Sequence, residues 1–122
     1  PLRYLYEPNA AILKAGAYKL PAVRFGLQKF HPNSHFYTSD KHIENFPGRT
    51  FEVLRYSHFN KQELKAFKGD VRQANLTVRN FPASVAELRK RLKIKEGGDE
   101  YWFATTCGED EHLLIACKKN PI

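Results

Sequence analysis

The basic side chains between Val71 and Lys95 are the residues of this chain best suited to a function, and that function would be electrostatic binding of a ligand. This segment carries seven basic residues against the single acidic Glu87, a net charge of +6. The whole chain of 122 residues has a net charge of +7, so the remainder contributes only +1. Positive charge concentrated in one short unit is typical of a surface that binds a polyanion. We therefore predict that this unit binds RNA.

The elements that must position these charges are a strand, a turn and an amphipathic helix. Ser84 and Glu87 have the spacing of a capping box, which begins a helix. Val85, Leu88 and Leu92 fall on one helical face and are its predicted buried stripe, with basic residues on the adjoining flank. The predicted RNA contacts lie on that flank, at the two ends of the preceding strand and in the turn: Arg72, Arg79, Asn80, Ser84, Arg89, Lys90 and Lys93.

Each of these assignments has a plainer structural alternative. A charged run is often only the solvated face of a helix, and Glu87 could pair with Arg91 one turn later. Free N–H groups at the helix start could hold a phosphate beside Asn80 and Ser84. The capping box uses the same donors, so both interpretations stay open.

Other kinds of site find little support in the sequence. Cys107 and His112 could face each other across a hairpin turn as a nucleophile pair, but nothing marks the thiol as activated. In that register Cys117 would lie opposite Trp102, too far from Cys107 for a disulfide, so we predict two free thiols. The histidine and cysteine spacings do not suit zinc. Tyr101 or Phe103 could stack on a base, whereas Trp102 suits the core.

The composition predicts a packed, non-membrane domain. Hydrophobic residues make up 42% of the chain, which includes nine Phe and six Tyr, and no stretch suits a transmembrane helix. Free thiols suit the reducing cytoplasm, which is the predicted location. The chain has no Met and begins at Pro1 inside an apparent strand, so we expect a domain cut from a longer protein.

The pattern of elements predicts an α+β fold. Leu2–Tyr6 and His35–Thr38 are predicted strands, with helices from Pro8 to about Lys19 and from Pro21 between them. From Thr50 the expected order is β-α-β-α-β-β, a small sandwich with its helices on one sheet. Its first helix begins at the capping residue Asn60 and ends at Gly69. The last strand contains the unbroken run LLIAC, which indicates burial on both faces.

Two long phrases carry a resemblance to a known family. YLYEPNAAILKAGAYKL, with FHPNSHFYTSD and FPGRTFEV, resembles the ferredoxin-like domain of bacterial class I S-adenosylmethionine-dependent methyltransferases. RQANLTVRNFPASVAELRKRLKIKEGGDEYWFATTCGEDEHLLIACKK resembles the THUMP-like domain that ends those proteins. Together the two matches cover nearly the whole chain. They predict a ferredoxin-like α/β subdomain at residues 1–47 and a THUMP-like domain at residues 48–122.

The resemblance implies a function as well as a fold. THUMP domains generally accompany RNA-modifying enzymes and help to present RNA, often tRNA, to the active site. The catalytic domain, with its S-adenosylmethionine, would precede Pro1 in the parent methyltransferase, so no catalytic residue, cofactor or metal is expected in this chain. Its predicted partners are RNA, with tRNA as one candidate, and that N-terminal catalytic domain. The alternative is a protein-interaction or dimerisation domain that docks on the catalytic domain.

Overall fold

A computed structural model describes residues 3–8, 28–29, 36–39, 48–107 and 110–119 of the chain. In chain order, the elements are β1 (Tyr4–Pro8), β2 (Gln28–Lys29), β3 (Tyr37–Ser39), β4 (Gly48–His58), α1 (Lys61–Lys68), β5 (Asn75–Arg79), α2 (Val85–Leu92), β6 (Glu100–Cys107) and β7 (Glu111–Lys119). The helices predicted after Pro8 and after Pro21 lie outside the described residues. The predicted α+β fold is confirmed, and the order β-α-β-α-β-β holds from β4 onward.

The seven strands of the described residues form one sheet, in the order β2-β3-β1-β4-β7-β6-β5. Every neighbouring pair is antiparallel except β5 and β6, which are parallel and are connected through α2. β4 lies between β1 and β7, so it joins the N-terminal strands to the rest of the sheet. The predicted boundary after residue 47 falls immediately before β4 and stays a prediction.

Each face of the sheet carries its own hydrophobic core. On one face, α1 and α2 cover a cluster that includes Leu64, Leu88, Leu92 and Trp102. On the other face, Phe103 packs with a cluster that includes Phe36 and Phe51. β7 is therefore buried on both faces along LLIAC, as its unbroken apolar pattern predicted.

The sheet curls until strands that are distant in the strand order meet across its second face. Arg79 on β5, at one edge, donates a hydrogen bond to Glu7 on β1, although three strands, β6, β7 and β4, lie between them in the sheet. Phe36, which precedes β3, packs against Phe103 on β6 with ring centroids 5.2 Å apart. The right-handed twist of adjacent strands accumulates in this way across a sheet of this width.

Both helices that follow β4 begin at the predicted capping residues, and α1 also ends where predicted. Asn60 caps α1 by accepting a hydrogen bond from the Glu63 backbone N–H, and Gly69 follows the helix with a positive φ of 51°. Ser84 and Glu87 form the complete capping box of α2. The predicted stripe of α2 is wrong in one member, because Leu88 and Leu92 are buried while Val85 at the first helical position is exposed.

The β6–β7 hairpin is shifted by one residue from the predicted register. Cys107 lies opposite Glu111 instead of His112, and Cys117 lies opposite Tyr101 instead of Trp102. The two cysteines remain far apart along the ladder, and both are free thiols, as predicted. No helix in the described part of the chain is long and apolar enough to span a bilayer.

Candidate nucleic-acid interface

A basic groove runs between α1 and the C-terminal end of α2. It has a volume of about 630 Å³ and is lined by Lys61, Leu64, Lys65, Lys68, Arg91, Leu92 and Lys93. Five of these seven side chains are therefore cationic, and none of them is acidic. We call this feature the α1–α2 groove. A concave surface with charge of one sign on both walls concentrates the field that attracts a polyanion.

Helical spacing and core packing together explain why the groove is basic. Leu64 and Leu92 are almost completely buried and form its apolar floor. Lys61, Lys65 and Lys68 recur at the i, i+4 and i+7 positions of α1, so they lie along one side of that helix. Lysine and arginine can pack their aliphatic stems against such a floor while their charged ends reach water.

The acidic residues of the two helices are held away from the groove lining by local hydrogen bonds. The Glu63 carboxylate accepts hydrogen bonds from the Asn60 side chain and the His58 backbone N–H. These bonds, that of Asn60 first, lower the pKa of Glu63 from 4.5 to about 2. The Glu87 carboxylate accepts from the Ser84 backbone N–H at 3.2 Å in the capping box. Neither carboxylate is therefore part of the groove lining.

Arg91 is the groove cation whose orientation is fixed by a neighbour. The carbon at the centre of its guanidinium lies 4.8 Å from the centroid of the Phe59 ring. Phe59 in turn packs against Phe81, with centroids 4.9 Å apart. The alternative pairing of Arg91 with Glu87 is not among the ion pairs of the described residues.

Three of the predicted basic contact residues have exposed side chains. Lys93 lines the groove, where it caps α2 in a left-handed conformation with φ 56°. Lys90 is exposed on α2, and Arg72 is exposed ahead of β5. The Arg72 carbonyl accepts a hydrogen bond from the Lys95 N–H at 2.9 Å, so its backbone is anchored while its side chain is exposed.

Two predicted contact residues are already occupied inside the protein. Arg89 pairs with Glu96, and its side chain is only 19% exposed. Arg79 pairs with Glu7 at 3.1 Å, and its guanidinium lies over the Phe36 ring at 4.9 Å. Both guanidinium groups have internal partners, so each is a weaker candidate for a phosphate than the cations of the groove.

The remaining predicted residues, Asn80 and Ser84, lie at the turn before α2. The Ser84 hydroxyl accepts a hydrogen bond from the Glu87 N–H at 3.1 Å, and the Asn80 carbonyl accepts from the Thr106 hydroxyl. Asn80 itself has a φ of 54°, a conformation that asparagine tolerates well. These bonds match the structural interpretation of the turn, because the helix-start donor at Glu87 is already used.

The sequence interpretation missed the three lysines of α1. Lys61, Lys65 and Lys68 follow a capping signal at helical spacing, and that spacing could have identified one basic side of α1. It could not show that this side faces α2. The suggestion of an exposed stacking residue on β6 is wrong for Phe103, which is fully buried. Tyr101 is half-buried and packs on Phe51 with centroids 5.2 Å apart.

The thiols and histidines do not assemble into a reactive site in the described residues. Cys107 is half-buried, and burial raises its pKa, which disfavours the thiolate. Burial raises the pKa of Cys117 further. His112 lies opposite Thr106 and contacts the Thr106 hydroxyl through Nδ1 at 3.1 Å, so it is not paired with Cys107. No cluster of three or more His, Cys, Asp or Glu that could hold a metal occurs in the part of the chain that the structure describes.

Comparison with known proteins gives two family matches and one close structural match. Residues 4–47 match the ferredoxin-like domain, and residues 48–119 match the family described as THUMP domain-like. No curated protein matches the chain. A crystal structure described as that of a "putative methyltransferase from Porphyromonas gingivalis W83" is similar over 98% of this chain, with a TM-score of 0.89 and 44% identity.

The structural match covers nearly all of this chain but only a minor part of the Porphyromonas gingivalis protein. This chain corresponds to only 30% of the length of the Porphyromonas gingivalis protein. The resemblance stated from the sequence is confirmed for both of its parts, since a ferredoxin-like and a THUMP-like family both match the chain. The THUMP domain-like match alone extends over more than half of the residues. The chain therefore belongs to the THUMP-like family and carries a ferredoxin-like domain ahead of its THUMP-like domain.

Proposed function

We propose that this chain is the RNA-binding accessory region of a methyltransferase and that the α1–α2 groove is its principal RNA contact. The observation that carries the proposal is a groove with five cationic side chains, an apolar floor and no acidic lining residue. Membership of the THUMP-like family and similarity to a described methyltransferase support the same role. Within the parent protein, a catalytic domain binds S-adenosylmethionine while this region positions the RNA in the cytoplasm.

The proposed contacts combine the groove with the exposed part of the predicted surface. Arg72 and Lys90 add two exposed cationic side chains, and neither takes part in an ion pair among the described residues. RNA is recognised largely through its phosphates, its shape and its 2′-hydroxyl groups, which suits such a surface. Tethering to a catalytic domain gives effective concentrations of about a millimolar, so even weak binding is sufficient for positioning.

The direct test measures the affinity of the 122-residue chain for unfractionated transfer RNA by filter binding. With five phosphate contacts, the logarithm of the binding constant should fall against the logarithm of salt concentration with a slope of about −3.5 to −4.5. Lys65→Glu should weaken binding, whereas Lys119→Glu, an equal charge change at the exposed end of β7, should have a much smaller effect. Equal effects of the two variants would contradict the assignment of the groove.

The alternative of a docking or dimerisation domain predicts a different result. The large exposed hydrophobic residues of the described part are Leu54, Tyr56 and Val85, which lie on two different elements. A solution mass of twice 14.1 kDa, together with unchanged RNA affinity in the groove variants, would favour this alternative. The groove itself favours RNA, because charged residues are depleted at the centres of protein interfaces.

A further inference from the structure

Arg91 differs from the other groove cations because an aromatic ring fixes its guanidinium. We infer that Phe59 is a positioning residue that holds Arg91 ready for a two-point contact with one phosphodiester group of the bound RNA. This inference rests on the function proposed above. In this inference, Arg91 makes the RNA contact whose orientation is set by the protein. The surrounding lysines, Lys61, Lys65, Lys68 and Lys93, contribute positive charge without a fixed orientation.

The Phe59 ring is itself well anchored. The backbone N–H of Phe59 donates a hydrogen bond to the His112 carbonyl at 3.1 Å, and this bond attaches the start of α1 to β7. Its ring is packed against Phe81 at an interplanar angle of 63°, and Phe81 also contacts the His112 ring. Arg91 therefore stacks on a ring that is held from two neighbouring elements, and its direction follows from the fold.

Arg91 also lacks the internal partners that occupy the other arginines discussed above. Arg89, two residues earlier, is paired with Glu96, and Arg79 is paired with Glu7. In the described residues, Arg91 makes the ring contact and no ion pair, and it lines the groove. Its five N–H donors are therefore directed by the ring and have no competing carboxylate among the residues that the structure describes.

The chemistry of the two cation types explains why one oriented arginine matters. A guanidinium presents a planar fork of donors that fits two oxygens of a phosphate at once, whereas a lysine ammonium is a flexible point charge. Stacking on Phe59 removes rotamer freedom before the RNA arrives, so less entropy is lost on binding. The lysines raise the rate at which RNA and protein associate. The Phe59–Arg91 pair sets the register of the RNA strand on the protein surface.

A double-mutant cycle on RNA affinity tests this inference in the full 122-residue chain. The probes are unfractionated transfer RNA and a uridine homopolymer. Phe59→Leu should weaken binding by about threefold to fivefold, the size expected for one exposed cation–π contact. Arg91→Lys, which keeps the charge, should weaken binding by about fivefold to tenfold, because the two-point contact is lost. Phe59→Leu in the Arg91→Lys background should then add less than about twofold.

Two controls separate positioning from damage to the fold. Phe59→Tyr keeps the aromatic face and should restore wild-type affinity. Phe81→Leu perturbs the same aromatic cluster without removing the ring under Arg91, so it should lower thermal stability with little loss of affinity. The Arg91 side-chain N–H should show an upfield ring-current shift by NMR in the wild type, and Phe59→Leu should remove that shift.

The outcomes distinguish this inference from the proposed function. If the wild type binds RNA and Lys65→Glu weakens it, but Phe59→Leu binds normally, the positioning role is overturned and the function stands. The positioning role is also overturned, and the function stands, if Phe59→Leu weakens RNA binding by the same factor in the wild type and in the Arg91→Lys background. If the wild type binds neither probe, the proposed function and this inference fall together.

Discussion

The Glu7 junction and the α1–α2 groove both contain cationic side chains but differ in what surrounds those cations. At the junction, the buried carboxylate of Glu7 accepts hydrogen bonds from Arg49 at 2.7 Å and from Arg79 at 3.1 Å. In the groove, five cations line an apolar floor and no carboxylate is among the lining residues. One site uses its arginines to close the curled sheet, and the other leaves its cations available.

This difference shows that a count of charges does not locate a binding surface. Arg79 and Lys93 both contributed to the net charge of +6 that indicated RNA binding. The Arg79 guanidinium lies over the Phe36 ring and pairs with Glu7, whereas Lys93 lines the groove. The position of the nearest carboxylate decides which cation can exchange its counterions for a phosphate.

Reversing the groove charge is the change with the largest expected effect. Lys65→Glu, Lys68→Glu and Arg91→Glu together should weaken RNA binding by at least about a hundredfold, because three phosphate contacts become repulsive. Filter binding at two salt concentrations measures both the affinity and the salt slope. Because these side chains lie outside the buried core, the thermal midpoint should change little. Retained affinity in this triple variant would remove the distinction between the two regions.

Removing the charge of Glu7 should have the opposite effect, a loss of stability with little change in RNA affinity. Glu7→Gln should lower the free energy of unfolding by about 2 kcal/mol, because Arg79 and Arg49 lose their shared counter-charge. RNA affinity should stay within about twofold, since separated sites act nearly independently. Urea denaturation measures the first quantity. Glu52→Gln, a neutralisation elsewhere on the same sheet, is the matched control and should change stability by less than about 0.5 kcal/mol.

The two ends of α2 should also differ, by a smaller amount. Ser84→Ala removes the capping hydroxyl and should cost about 1 kcal/mol of stability. RNA affinity should not change, because the Ser84 hydroxyl is already bonded to the Glu87 N–H. Denaturation and filter binding on the same preparation measure both quantities. A large loss of RNA affinity with normal stability would instead place a phosphate at the start of α2.

The smallest expected effect is the pH dependence of the start of α1. The hydrogen bond from His58 to Glu63 raises the pKa of His58 above 6.5, and Glu111 adds to that increase. The stabilising contribution of protonated His58 is therefore present below pH 6.5 and is lost as pH rises through the raised value. For Glu63, whose pKa is lowered to about 2, the contribution is present above pH 4.5 and is lost as pH falls toward 2.

An NMR titration of the His58 ring checks this prediction. Glu63→Gln should shift the His58 midpoint downward, and Glu111→Gln should shift it downward by less. The shifts should shrink as salt is added, because His58 and both carboxylates are exposed to solvent. A His58 midpoint at or below 6.5 in the wild type would contradict the arrangement.

Much of the second half of the fold was predictable because its signals are local. The caps at Asn60 and Ser84 depend on hydrogen bonds within three residues, and the burial of LLIAC follows from an apolar run. The errors arose where distant segments meet. Val85 is exposed because its position depends on how α2 packs. Phe103 is buried because Phe36, just before β3, and Phe51 on β4 cover it.

The candidate site divides in the same way. Lys90, Lys93 and Arg72 were found from a run of cations and are exposed. Lys61, Lys65 and Lys68 were missed because their importance depends on the packing of α1 beside α2. Arg79 was included among the predicted RNA contacts because its ion-pair partner, Glu7, is 72 residues away in the sequence. A partner at that separation cannot be identified from local spacing.

By itself, the sequence determined the order of the elements from β4 onward, the caps of their two helices and the excess of positive charge between Val71 and Lys95. These depend on backbone hydrogen bonds and side-chain periodicity over a few residues. Only the tertiary structure decided which cations are available, because that depends on carboxylates and rings brought in from remote strands. Coulomb energy depends on distance in space and on solvent exposure, and neither can be read from separation along the chain.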